Sequence, residues 1–153
     1  MYPKHHILLG FIFSVFVFIL FPKIGVLGAS IIFLSSFLID VDHYIGYAIR
    51  KKDWNVMNAI KWNFEVSKKA NLMKRGDRNK FYVFLFFLHG FEVLFVLALL
   101  AIFVSPLFLF ILTGFTFHLT LDTVHQRFYW DRMDKLSLIY DYFKYKKLKK
   151  IDL

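Results

Sequence analysis

A chain of 153 residues is one domain by length, but 58% apolar and 21% aromatic residues with a mean hydropathy of +0.53 exclude an ordinary soluble globular protein. The net charge of +9 would suit nucleic acid, yet there is no base-reading motif, no phosphate-cradling glycine loop and no nucleophile elbow. The absence of cysteine excludes disulfides, thiolate metal sites and cysteine nucleophiles.

The apolar residues are segregated. Ile7 to Phe21, Ile24 to Ile39, Phe81 to Val104 and Leu107 to Leu121 are nearly free of charge, separated by Pro22-Lys23, a long basic stretch and Ser105-Pro106. A membrane span takes about 17–25 apolar residues, so the third run is long enough alone and the others draw on flanking residues. These runs predict an all-α integral membrane protein: four transmembrane helices, near 5–22, 24–40, 80–104 and 106–126, form two hairpins. A basic loop at 44–79 and a basic tail at 127–153 complete one membrane domain. The first run has no clear small-residue cleavage site and reads as an uncleaved helix.

The position of the charge decides its meaning. Of the 20 Lys and Arg, ten lie between Arg50 and Lys80, eight follow position 126, Lys4 precedes the first run, and Lys23 alone falls on the other side. This positive-inside pattern places both termini and the central loop on the cytoplasmic side of the cell inner membrane. Anionic membrane lipid, rather than nucleic acid, is the partner it predicts.

Taken in order, the chain opens with His5 and His6, about 100° apart on a helix, so that one of them can face inward. His6 has Gly10 one turn on, a small residue where a neighbouring helix can come close. The second run ends Leu38-Ile39-Asp40-Val41-Asp42-His43-Tyr44. There positions 40 and 42 share a side if the chain is extended, and 40 and 43 if it is helical. Asp53 to Met73 carries Trp54, Met57, Ile60 and Phe64 at helical spacing among lysines, as a cationic amphipathic helix in the headgroup plane does; a solvated loop is the alternative. Lys74 to Lys80 reads as a turn-rich cap. On the third predicted helix His89 and Glu92 share a face. The fourth carries Gly114, His118, Asp122 and His125, with 118, 122 and 125 on one face; His125, at the helix end, reads as an interfacial or capping residue. The tail is basic and aromatic, with Trp130, Tyr140, Tyr142 and Phe143, and reads as resting on the membrane surface.

Ionisable groups in hydrocarbon cost several kcal/mol each and need partners. With about 1.5 Å per residue, His89 lies roughly 13 Å in from the cytoplasmic side and His118 roughly 12 Å, so two antiparallel helices bring them to one level. Asp40, Asp42, His43, His6 and Asp122 fall near the same mouth. Imidazoles and carboxylates without thiolates suit a divalent metal ion, zinc first and Mn, Fe or Mg as alternatives. With Glu92 these residues make eight candidates, more than the three or four protein ligands of one catalytic zinc. The surplus allows two ions, or one ion with orienting residues around it.

The same motifs resemble those of the YdjM family of membrane-bound, metal-dependent hydrolases, over about His6 to Val124. His6-Ile-Leu-Leu-Gly10 matches the family's opening His and small residue. Leu38 to His43 matches its Leu-Pro-Asp-hydrophobic-Asp-His box, with Ile39 in place of Pro, and Gly114, His118 and Asp122 match its late element. The central family motif, His-Arg-Gly-x-Thr-His-Ser, keeps only its second His, His89, and Glu92 follows. The resemblance implies that His6, Asp40, Asp42, His43, His89, His118 and Asp122 bind metal, with Glu92 as a ligand or general base and Asp42 as a second catalytic carboxylate. It implies hydrolysis of an ester or phosphoester, including a lipid. The His-x-x-x-Asp element is also similar to that of zinc-dependent phospholipases C. A non-enzymatic membrane protein that uses the cluster to bind or move ions or protons is the alternative reading.

Overall fold

The computed structural model describes residues 3–74, 77, 80–82, 85–129 and 136–150. Trp130 and most of the turn-rich cap (Arg75, Gly76, Arg78 and Asn79) lie outside the described residues. The described residues are mostly helical: α1 (Pro3–Leu20), α2 (Gly25–Leu38), α3 (Val41–Lys51), α4 (Val56–Leu72), α5 (Phe91–Phe103), α6 (Leu107–Tyr129) and α7 (Leu138–Lys147). A two-residue parallel bridge, Phe81 with Lys149 and Tyr82 with Lys150, adds the only extended pairing among the described residues.

Helix α6 contacts α1, α2 and α5, and α1 packs on α2. The stretches Pro22–Lys51 and Leu107–Phe128 are long and apolar enough to cross a membrane, whereas Lys4–Leu20 and Phe91–Phe103 are shorter apolar helices. Polarity is inverted relative to a soluble protein. Phe11, Phe16, Ile19, Val26, Leu27, Phe95 and Ile102 are exposed, while His6, Ser14, Ser35, Ser36, His89, His118 and Asp122 are buried. Such a distribution suits an apolar surrounding medium.

Small residues set how closely the helices approach. A Cβ on Gly10 would lie 2.0 Å from the Ser36 hydroxyl oxygen, and one on Gly114 would lie 2.0 Å from that of Ser35 and 2.5 Å from the Ile32 carbonyl oxygen. Both glycines therefore press α1 and α6 against the same stretch of α2. Each stands one helical turn from a histidine, Gly10 from His6 and Gly114 from His118, so the close contact also sets where those two rings sit.

The third apolar run departs from expectation. A helix over 80–104 was predicted, but α5 spans only Phe91–Phe103, and 85–90 is non-helical. The cause is tertiary. The Leu88 N–H donates to the Asp42 carboxylate at 3.1 Å and the Phe91 N–H to the Leu136 carbonyl at 2.9 Å, replacing bonds a helix would have made within itself. The amphipathic segment does form α4, which starts at the Asn55 cap, whose side chain accepts from the Met57 and Asn58 N–H groups. Its Ala59, Trp62 and Val66 pack with Tyr44 and Tyr47 of α3 in a small separate core.

Candidate metal centre

The site lies where α1, the α2–α3 corner, the 85–90 segment and α6 meet. His89 and His118, both wholly buried, point their Nε2 atoms at each other across 3.3 Å. The outer nitrogens are already engaged. His118 Nδ1 lies 2.8 Å from the Ser36 carbonyl oxygen, which can only accept. His89 Nδ1 lies 2.8 Å from Asp42 Oδ2. With Nδ1 protonated in both rings, each Nε2 offers a bare lone pair to the shared space.

The α2–α3 corner supplies the next group. Asp40 Oδ1 stands 3.4 Å from His89 Nε2 and 3.5 Å from His118 Nε2. Asp122 Oδ2 lies 3.9 Å from each of the same two nitrogens. Ligand atoms held tetrahedrally at about 2.0–2.1 Å from zinc are roughly 3.3–3.4 Å apart. The triangle of His89, His118 and Asp40 thus has the edge lengths of one face of such a site, with Asp122 half an ångström farther out. His89, His118 and Asp122 are buried and Asp40 is partly exposed, and the His and Asp residues gathered around this point could hold a metal ion.

His6 and His43 flank this set on opposite sides. His6 Nε2 is 3.2 Å from Asp122 Oδ1, and its ring stacks on His118 with centroids 4.0 Å apart. His43 Nε2 is 3.5 Å from Asp40 Oδ1, and its ring lies against Phe86 at 4.1 Å. Two adjacent groups that share no residue result, His6 with His118 and Asp122, and Asp40 with His43 and His89, each with ligand atoms within 4.8 Å of one another. Burial is uneven across them: the side chains of His43 and Asp40 are 28% and 23% exposed, so the mouth of the site is on their side.

Six of the eight candidate residues converge: His6, Asp40, His43, His89, His118 and Asp122. Of the two alternatives for the α2–α3 corner the helical one holds, since Asp40 pairs with His43 three residues on. Asp42 is close but turned away. Its carboxylate meets Nδ1 of His89 and the Leu88 N–H on the far side from the shared space, where it fixes the ring's tautomer and orientation, as an outer partner of a ligating histidine does. Glu92 is not brought in. It opens α5, and its carboxylate accepts from the Ser137 hydroxyl at 2.6 Å and the Leu138 N–H at 2.9 Å, capping α7. The expected shared helical face of His89 and Glu92 does not exist, because Gly90 between them is extended (φ −154°, ψ 151°) and the helix starts only after it. His125 also lies outside both groups.

Two parts of the site had no signature in the sequence: the Ser36 carbonyl, a backbone acceptor, and the Phe86 ring under His43. The glycine one turn from His118 was the available hint of the first, since it marks where α2 comes close.

No family model, curated protein or solved structure matches the chain. The centre therefore stands on its own geometry.

Proposed function

We propose that the protein is a membrane-bound, metal-dependent hydrolase of an ester or phosphoester, with Asp40, His89, His118 and Asp122 as the ligands of a divalent ion, zinc first. The facing Nε2 atoms of His89 and His118 carry this reading. Two lone pairs aimed at one point, with both Nδ1 atoms occupied, repel unless a cation lies between them. A bound divalent ion supplies Lewis acidity and lowers the pKa of a coordinated water to about 7.

The residues around the ligands have distinct tasks. Asp42 and the Ser36 carbonyl hold the two imidazoles in the ligating tautomer. His6 orients Asp122, and His43 orients Asp40. Leu38 and Val41, both exposed, flank Asp40 in the chain and give the mouth an apolar rim that suits a substrate with a lipid tail.

In the bilayer the protein adopts two helical hairpins, α1 with α2 and α5 with α6, with both termini and the basic α3–α4 region on the cytoplasmic side. Helix α5 is about 20 Å long, short of the hydrocarbon core's roughly 30 Å. The 85–90 segment covers the difference, as irregular backbone does at membrane depth when it is buried in protein.

Metal content by plasma mass spectrometry on detergent-purified protein tests the proposal, with His89→Ala and His118→Ala beside the wild type. One or two equivalents of a transition metal in the wild type and loss in both variants are expected, followed by turnover of phospholipid or phosphoester substrates. A folded wild type that takes up no stoichiometric metal from zinc or manganese overturns it. Proton flux that depends on His89 and His118 would then be the property to measure.

A further inference from the structure

The two faces of α7 differ in chemistry. Its inner face holds Asp141, 2% exposed, and its first turn is tied to Glu92 at the start of α5. Ile139 and Phe143, four residues apart and 64% and 57% exposed, form the centre of the outer face. Tyr140 and Tyr142, also exposed, flank them. Lys146 Nζ stands 4.6 Å from the centre of the Tyr142 ring and Lys144 Nζ 5.6 Å from that of Tyr140, while Lys147 is exposed beyond. The helix's only carboxylate faces inward, so the outer face carries cations and no acid.

We propose that the outer face of α7 seats in the anionic headgroup layer of a bilayer. An apolar centre flanked by tyrosines and lysines is the composition of a helix lying in the interface, with rings at headgroup level and ammonium groups reaching the phosphates. Continuity selects a bilayer over a soluble acidic protein. The Phe91 N–H bonds to the Leu136 carbonyl just before α7, and Phe91 and Phe95 of α5 are exposed in turn. Both helices meeting at this junction thus carry exposed apolar side chains, which water cannot cover cheaply. This seating does not depend on a metal in the centre.

The absence of cysteine allows a clean test on the full chain. The variant Ile139→Cys is labelled with an environment-sensitive fluorophore and reconstituted in phosphatidylcholine vesicles, with or without phosphatidylglycerol. Blue-shifted emission and quenching by headgroup spin-labelled lipid are expected in the anionic vesicles, reversed by high salt. Adding Lys146→Gln and Lys147→Gln weakens the preference for anionic lipid by about fivefold per lysine. Emission from water, quenched equally by aqueous iodide in both vesicle types, overturns the proposal. A blue shift with no quenching by spin-labelled lipid in either vesicle type also overturns it, since the face would then be covered by protein.

Discussion

His89 and His118 come from elements 29 positions apart in the chain, yet their Nε2 atoms meet at 3.3 Å while both Nδ1 atoms are turned outward to fixed acceptors. The two outer acceptors differ in kind. Ser36 offers a backbone carbonyl that no substitution removes, whereas Asp42 offers a side chain. Asp42 is thus the place where orientation can be separated from ligation.

Replacing Asp42 by Asn keeps the shape and takes away the charge behind His89. Loss of such an outer partner typically costs 10–100-fold in metal affinity. We expect Asp42→Asn to bind zinc with affinity lower by about that factor, in competition with a chromogenic chelator, at unchanged stoichiometry. Complete loss of the metal would make Asp42 a ligand after all, and unchanged affinity would remove its orienting role.

Gly10 and Gly114 both lie against serines of α2, but they do not tolerate a methyl group equally. At Gly10 a Cβ meets the Ser36 hydroxyl, a group that can rotate; at Gly114 it also meets the Ile32 carbonyl oxygen at 2.5 Å, which cannot. Gly114→Ala should destabilise the protein by about 1–3 kcal/mol, the usual cost of overpacking, and Gly10→Ala by less. Thermal unfolding in detergent micelles reads the difference. Equal shifts would mean that α2 and α6 part more easily than their packing implies.

What the sequence conveyed, and what it did not, follows from the range of the forces involved. Four apolar runs and the His and Asp motifs are local, and they announced α1, α2, α6 and most of the cluster. Helical rise along the chain puts His89 and His118 at one level, although the residues just before His89 are not helical. The helix expected there failed because the N–H groups of Leu88 and Phe91 found partners 46 and 45 positions away, in Asp42 and Leu136. Glu92 faces α7 for the same reason: its partner, Ser137, lies 45 positions on. A three-residue spacing assumed a helix, and tertiary hydrogen bonds decided otherwise.

The α3–α4 corner should respond to acid. Asp53 accepts from the Tyr47 hydroxyl, from the Asn58 amide and from the Asn55 N–H, and these bonds, the Tyr47 bond foremost, hold its carboxyl below the usual range. A depressed folded-state pKa contributes stability above the unfolded value of about 3.9 that is lost as pH falls through the folded value. Hydrogen exchange of 56–72 should therefore be flat from neutral pH down to about 5 and accelerate, beyond the intrinsic pH effect, below about 4. In Asp53→Asn that added acceleration should be absent. Its persistence in the variant would assign the acid response to another group.

Glu92 separates two accounts of the same residue. As a general base or ligand it would have to reach the centre; as a cap it faces α7, accepting from Ser137, Leu138 and, at 3.4 Å, the Ile139 N–H. Its charge sits at the positive end of the α7 dipole, where a carboxylate is favoured. Glu92→Gln turns one acceptor oxygen into an amide that points donors at donors. Hydrogen bonds to a charged acceptor are worth about 1.5–3 kcal/mol, so exchange of the α7 amides should rise by at least about tenfold. Metal stoichiometry should stay that of the wild type, because no ligand is touched. The opposite pattern, a protected α7 with lost metal or hydrolysis slowed a hundredfold, would return Glu92 to the centre and require the 85–92 segment to rearrange when the ion binds.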